Sequence, residues 1–275
     1  MLRDVLKLII TGYEHSGTSL ALDAFKCVKD LDSGYECGIL SSQGGIKNYM
    51  NYKQGGFSYS ESLQRHWQIR PDNLKSVVNN SSTYEDFYKG LRRYSGCIKN
   101  KNVGLIDKTP IYIRSLHRII EKTEDVPIII MRKDPKNHFC SMVRRCGHWY
   151  GLGTFIRNYR FCYGQRHASF MGVSENLPSV HQLAQSTSRI HMIQFEDFVV
   201  NPTPIIEKVC EMTQIKYRKE DYLDFLLKIH AHEAETYKRE LVTHENHPDG
   251  SGKRFKITPH VINQINKELS DFVVI

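Results

Sequence analysis

The chain has 275 residues, 40% apolar and 25% charged, an ordinary globular balance with room for one α/β domain with insertions or two small domains. Its net charge of +8 and pI near 9.0 suit an anionic ligand, a nucleic acid or a membrane surface. Seven cysteines, an odd number with no Cys-x-x-Cys pair, exclude a zinc ribbon and a disulfide framework and read as reduced thiols.

In chain order, the first predicted element is a buried strand over residues 6–11, rich in Leu and Ile. It runs into a Gly/Ser/Thr turn, GYEHSGTS, and then into a helix predicted over residues 19–29. A strand feeding a helix through such a turn converges backbone N–H groups at a helix N-terminus, a geometry that binds phosphate or sulfate. Thr18 and Ser19 add hydroxyl donors. A Walker A loop would end in Gly-Lys-Ser/Thr; this one has no lysine, and His15 stands in the basic place. Glu14, inside the loop, would repel an anion unless its side chain turns away.

Residues 41–101 interrupt the alternation with a polar, aromatic, glycine-containing segment. It is expected either to form an acceptor pocket and lid or to be solvated loops around a few extra helices. A second strand follows over residues 103–107 and ends on Lys108, with a helix over 111–122 starting at Pro110. A third strand over 126–131 ends in Arg132-Lys133. Asp134-Pro135 then turns the chain, and a helix over 137–145 puts Ser141 and Arg145 four apart on one face. That makes a second basic pocket with a hydroxyl, suited to another phosphate. Residues 147–188 form a second interruption. A fourth strand over 190–195, a helix over 204–212 and a terminal helix from Thr258 complete the chain. The alternation predicts a single three-layer α/β domain with a mainly parallel sheet, its ligand at the carboxyl ends of the strands. Trp67 and Trp149, in the two interruptions, either stack on an acceptor or anchor these segments, and anchoring is the expected role. Phe195 either lines an adenine pocket or belongs to the core.

Taken together these segments resemble the sulfotransferase family that uses 3′-phosphoadenosine 5′-phosphosulfate (PAPS), with a P-loop nucleotide-binding-like fold. HSGTS, residues 15–19, is similar to that family's 5′-phosphosulfate loop, with His15 replacing its Lys/Arg. The resemblance implies that His15, Ser16, Gly17, Thr18 and Ser19 grip the donor. Lys133, Pro135 and Ser141 keep the spacing of the 3′-phosphate motif, while Arg132, one residue earlier, takes the role if the strand register differs. The DKTP segment resembles one in the tyrosylprotein branch whose lysine is catalytic, which implies that role for Lys108. Arg145 matches a phosphate-contacting arginine of that branch. The stretch IQFEDFVVNP is similar to a further family segment, and Lys253 or Arg254 in GSGKRFK matches a residue that closes over the nucleotide.

Counting twenty-one residues from His15, as that branch does to its glutamate base, reaches Glu36. Its setting is a short apolar piece after a glycine turn, read as a second strand end. A carboxylate removing the acceptor proton and fixed cations offsetting charge on the transferring group assign Glu36 as base, with Lys108 and His15 as stabilisers. A histidine is cationic only when protonated, which an adjacent dianionic phosphate favours. No metal is expected: His230-x-His232 and His244-x-x-His247 lack zincin spacing. The expected function is transfer of a sulfuryl group from PAPS to an acceptor hydroxyl, of a carbohydrate or small molecule first and of a protein tyrosine second. The alternatives are a P-loop-type phosphotransferase, or a non-catalytic nucleotide- or nucleic-acid-binding protein. No nucleic-acid partner is expected, because the basic residues are spread apart from pairs such as Arg92-Arg93 and Arg144-Arg145. No signal peptide or membrane span is read, so a cytoplasmic protein is expected.

Overall fold

The computed structural model describes residues 1–54, 57–135, 137–138, 141–142, 172–218 and 220. Helix α1 (Leu2–Val5) leads into strand β1 (Leu6–Gly12), then helix α2 (Thr18–Lys26) and the two-residue strand β2 (Leu31–Asp32). A short hairpin, β3 (Lys53–Gln54) with β4 (Phe57–Ser58), precedes helices α3 (Tyr59–His66), α4 (Pro71–Asn80) and α5 (Tyr84–Tyr94). Strand β5 (Gly104–Lys108), helix α6 (Leu116–Lys122) and strand β6 (Ile128–Arg132) follow. Beyond them lie helix α7 (Val173–Gln185), strand β7 (Ile190–Gln194) and helices α8 (Phe195–Val200) and α9 (Thr203–Thr213).

The five main strands form one parallel sheet in the order β2-β5-β1-β6-β7. Their side chains alternate between two cores, as a sheet covered on both faces requires. Leu8, Ile10, Ile106, Ile129 and Met131 face α2, α8 and α9, meeting Leu22, Phe25, Phe198 and Val209. Ile9, Leu105, Ile128 and Ile130 face the other way, onto Leu63, Val77, Phe87, Ile119 and Val180. This is the expected three-layer arrangement. The strand order reverses beside β1, so the loops after β1 and β6 flank the crevice where such sheets take ligands.

The four long predicted strands lie within one or two residues of those seen. The predicted helix over 111–122 differs. Residues Pro110–Ser115 form a 3₁₀ turn and only Leu116–Lys122 is α-helical. Side chains claim the carbonyls a helix would use: Thr11 Oγ1 donates to the Pro110 carbonyl at 2.8 Å and Asn176 Nδ2 to that of Ile113 at 3.2 Å. Phe195 opens α8 rather than ending β7.

Within residues 41–101 the chain builds a helical layer. Pro71 starts α4, where a missing N–H costs nothing, and Thr83 with Asp86 makes a reciprocal capping box on α5. Leu63, Trp67, Leu74, Val77, Phe87, Tyr88 and Leu91 enter the main core. Of the predicted helix over 137–145, residues 137–138 and 141–142 are helical. Arg145, Trp149, Lys253, Arg254 and the histidines 230, 232, 244 and 247 lie outside the described residues. Cys27, Cys37, Cys97 and Cys210 are free thiols. Among the described residues no helix is long and apolar enough to cross a membrane.

Candidate active site

The loop after β1 turns on two left-handed residues, His15 at φ 70° and Gly17 at φ 98°. Histidine visits this region several-fold more often than most residues, whereas Lys and Arg seldom do. Gly17 is required twice over: by its φ, and because a Cβ there would lie 2.2 Å from Phe195 Cδ2. As N-cap of α2, Gly17 places no side chain over the amides that open the helix. Ser16 is 1% exposed, and its Oγ has no hydrogen-bond partner among the described residues.

Glu14 turns away from this cradle. Its carboxylate lies 3.4 Å from Arg114 Nη2, and burial pushes its pKa up to about 7 against the pull of that guanidinium. The Glu14 carbonyl receives the Nε2 hydrogen of His138 at 2.7 Å. Burial lowers the His138 pKa to about 4, so the ring is neutral and its Nε2–H is the donor the carbonyl needs. Tyr13 packs between them, with Arg114 5.8 Å and His138 6.1 Å from its ring centre. Neither Arg114 nor His138 carries a motif, and only the fold brings them to Glu14.

Lys108 closes β5 beside β1, Ile10 being its partner in register. It is no solvated strand-end lysine: the side chain is 1% exposed, with Nζ 3.1 Å from Glu36 Oε1 and 4.2 Å from the Tyr35 ring centre. Glu36 is 18% exposed. It does not end a strand, since β2 stops at Asp32; it lies in the loop before the 3₁₀ turn Ile39–Ser41. The charge of Glu36 acts on Glu14, so the first loop and this carboxylate share one region.

That loop is gripped on both edges. Its carbonyls accept from residues of the helical layer and its approach: Trp67 Nε1 to Tyr35 at 2.9 Å, Ser62 Oγ to Glu36 at 3.3 Å, and Tyr49 Oη to Cys37 at 2.5 Å. Trp67, fully buried, anchors its segment as expected. The amides of Cys37 and Gly38 donate to Thr109 Oγ1, both at 3.1 Å, and that of Leu40 to Tyr112 Oη at 3.2 Å.

In the third loop, Arg132 and Lys133 part company. Arg132 Nη1 lies 3.1 Å from His181 Nε2 on α7. Lys133 Nζ lies 4.5 Å above the Phe195 ring, the ring that packs on Gly17. Tyr13, Ser16, Arg132, Lys133 and His138 line one cavity between the first and third loops. Ser141 lies on the helix beyond, partly exposed. Glu196 fixes the turn between them, accepting from the Asp134 amide at 3.2 Å, Asn137 Nδ2 at 3.0 Å and Gln194 Nε2 at 2.5 Å. The sequence marks the FED stretch but not this role.

Among the solved structures that share the fold are three sulfotransferase structures. The sulfotransferase domain of the olefin synthase of Synechococcus PCC 7002 is 17% identical, at a TM-score of 0.59 over 96% of this chain and 94% of that one. The sulfotransferase domain from the curacin biosynthetic pathway is 16% identical, at 0.51 over 97% and 98%. The mouse sulfotransferase SULT7A1, complexed with PAP, is 8% identical, at 0.53 over 98% and 84%. No curated protein matches the sequence. The model of the sulfotransferase family matches residues 8–219, which run from within β1 to beyond α9, and the chain belongs to that family.

Proposed function

We propose that this protein transfers a sulfuryl group from PAPS to an acceptor hydroxyl, with Glu36 as the base and Lys108 and His15 as electrostatic stabilisers. The observation that carries this reading is the pairing of buried Lys108 with half-buried Glu36 beside the first loop. Burying the Lys108 ammonium is costly and its pair with a half-buried carboxylate contributes little net stability, so its presence at the ligand edge of the sheet points to chemistry. PAPS supplies an activated S–O bond. Glu36 accepts the proton of the acceptor as its oxygen bonds to sulfur. The S–O bond to phosphate breaks with its electron pair kept by the leaving oxygen, and Lys108 and His15 offset the charge that collects there.

The residues present suit the donor. The orphaned Ser16 hydroxyl, the amides opening α2 and the glycine cradle at Gly17 all favour an anion. Of the two strand-end cations, we assign Lys133 with Ser141 to the 3′-phosphate, because Lys133 sits over Phe195 on the side of the first loop while Arg132 engages His181. The resemblance assigns Arg145 and Lys253 or Arg254 to the same nucleotide. The acceptor is a carbohydrate or small-molecule hydroxyl, with protein tyrosine second, as in the tyrosylprotein branch. Titration with adenosine 3′,5′-bisphosphate, ATP and GTP, each with and without magnesium, tests the class. Micromolar, metal-independent preference for the bisphosphate is expected. Tighter binding of magnesium-ATP overturns the reading in favour of a phosphotransferase.

A further inference from the structure

We propose that Asp107 is a positioning residue for Glu36, acting through the hydroxyls of Thr109 and Tyr112; this rests on Glu36 being the base. Asp107 is fully buried on β5. Three hydroxyls donate to it: Thr109 Oγ1 to Oδ1 at 2.7 Å, Tyr112 Oη to Oδ2 at 2.8 Å, and Tyr88 Oη, from α5, also to Oδ2. Burial raises the Asp107 pKa while the three donors lower it; in its ionised form the carboxylate only accepts, so each hydroxyl spends its single hydrogen on Asp107. Only lone pairs then remain toward the loop. Thr109 uses its two for the amides of Cys37 and Gly38, and Tyr112 uses one for Leu40.

The carboxylate thus sets hydroxyl orientation, the hydroxyls hold the amides after Glu36, and the adjacent Lys108 holds the Glu36 carboxylate itself. Asp107, Lys108 and Thr109 act as one strip of chain on one loop. An amide at position 107 would present a donor to one of the hydroxyls and turn its hydrogen toward an amide N–H. The family resemblance gives a role to the lysine of DKTP and none to its neighbours; the geometry supplies one.

Hydrogen exchange of the amides of Cys37, Gly38 and Leu40, adenosine 3′,5′-bisphosphate affinity and turnover with p-nitrophenol as acceptor test this together. Thr109→Val should lose protection at Cys37 and Gly38 and lower kcat roughly 10–100-fold, the scale of a small misplacement of a reacting group. Bisphosphate affinity should stay within about twofold, and Thr109→Ser should restore both exchange and kcat. Asp107→Asn should deprotect all three amides. In a Glu36→Gln background, Thr109→Val should cost nothing further in kcat, because the loop matters only through Glu36. If Thr109→Val does not fold, Tyr112→Phe carries the test through Leu40 alone. Unchanged exchange in Thr109→Val and Asp107→Asn, or a kcat loss that persists in the Glu36→Gln background, overturns the inference. Wild-type turnover by Glu36→Gln instead removes the base reading, while the exchange arm still reports on the network.

Discussion

The loop carrying Glu36 and the loop after β1 are built on opposite plans. Around Glu36, the carbonyls of Tyr35, Glu36 and Cys37 and the amides of Cys37, Gly38 and Leu40 all find partners inside the protein. At residues 15–17, the backbone takes left-handed turns, the helix start has no side-chain cap, and the Ser16 hydroxyl is buried with no hydrogen-bond partner among the described residues. Left-handed non-glycine residues and orphaned donors cost stability, of order 1–3 kcal/mol each. A protein tolerates them where a ligand repays them. One loop is stiffened around a side chain, and the other, on the proposed reading, faces an anion.

Substitutions can break this contrast. The largest effect is expected from Glu36→Gln. Turnover should fall by about 10²–10⁴, the range for a general base, while bisphosphate affinity measured by calorimetry survives. Retained activity would take Glu36 out of the mechanism. Gly17→Ala comes next, since its Cβ meets Phe195 and its φ disfavours a side chain. It should weaken bisphosphate binding at least about tenfold and lower the melting temperature, each excess 1.4 kcal/mol being one decade in affinity.

Ser16→Ala should separate the two plans most clearly. It removes a buried hydroxyl with no partner among the described residues, so the apo protein should hold or gain stability, while bisphosphate affinity drops several-fold. Thr109→Val should do the reverse, losing stability and sparing affinity. Equal loss of stability in both would erase the distinction.

The smallest effects concern pH. The folded pKa of Glu14 is raised to about 7 from 4.5 by burial, so its stabilising share is full below 4.5 and lost as pH rises through 7. Glu14→Gln should flatten the fall in stability between those limits in denaturant titrations. The folded pKa of His138 is lowered to about 4 from 6.5, so its share is full above 6.5 and lost as pH falls through 4. His138→Gln can keep a donor to the Glu14 carbonyl and should flatten only the acid limb. An unchanged profile in either variant would show that these groups do not titrate with folding.

The four long strands were legible because each carries a short Ile/Leu/Met-rich run between turn residues, with its polar residues mostly toward the ends. The first loop was legible for a similar reason: a strand, a Gly/Ser/Thr turn and a helix are contiguous in the chain. Glu36 and Lys108 were reached through spacing and resemblance, and the fold places them 3.1 Å apart. The helices of residues 41–101 were less legible, since Tyr and Ser among their buried positions blur the apolar period.

Other features had no local signature at all. Asp107 gathers hydroxyls from α5 and from the turn after β5, and Thr109 reaches amides more than seventy residues away. Glu14 and Arg114 are a hundred positions apart. Periodicity and turn chemistry report which face a residue shows and where the chain bends, because both act over a few residues. They carry no record of which distant group fills a buried carboxylate. From the amino acids alone came the alternation of strands and helices, the strand–turn–helix form of the first loop and the family. Packing of the sheet against the helical layer decided that Lys108 is buried on Glu36, that Glu14 turns to Arg114, and that Arg132 and Lys133 part.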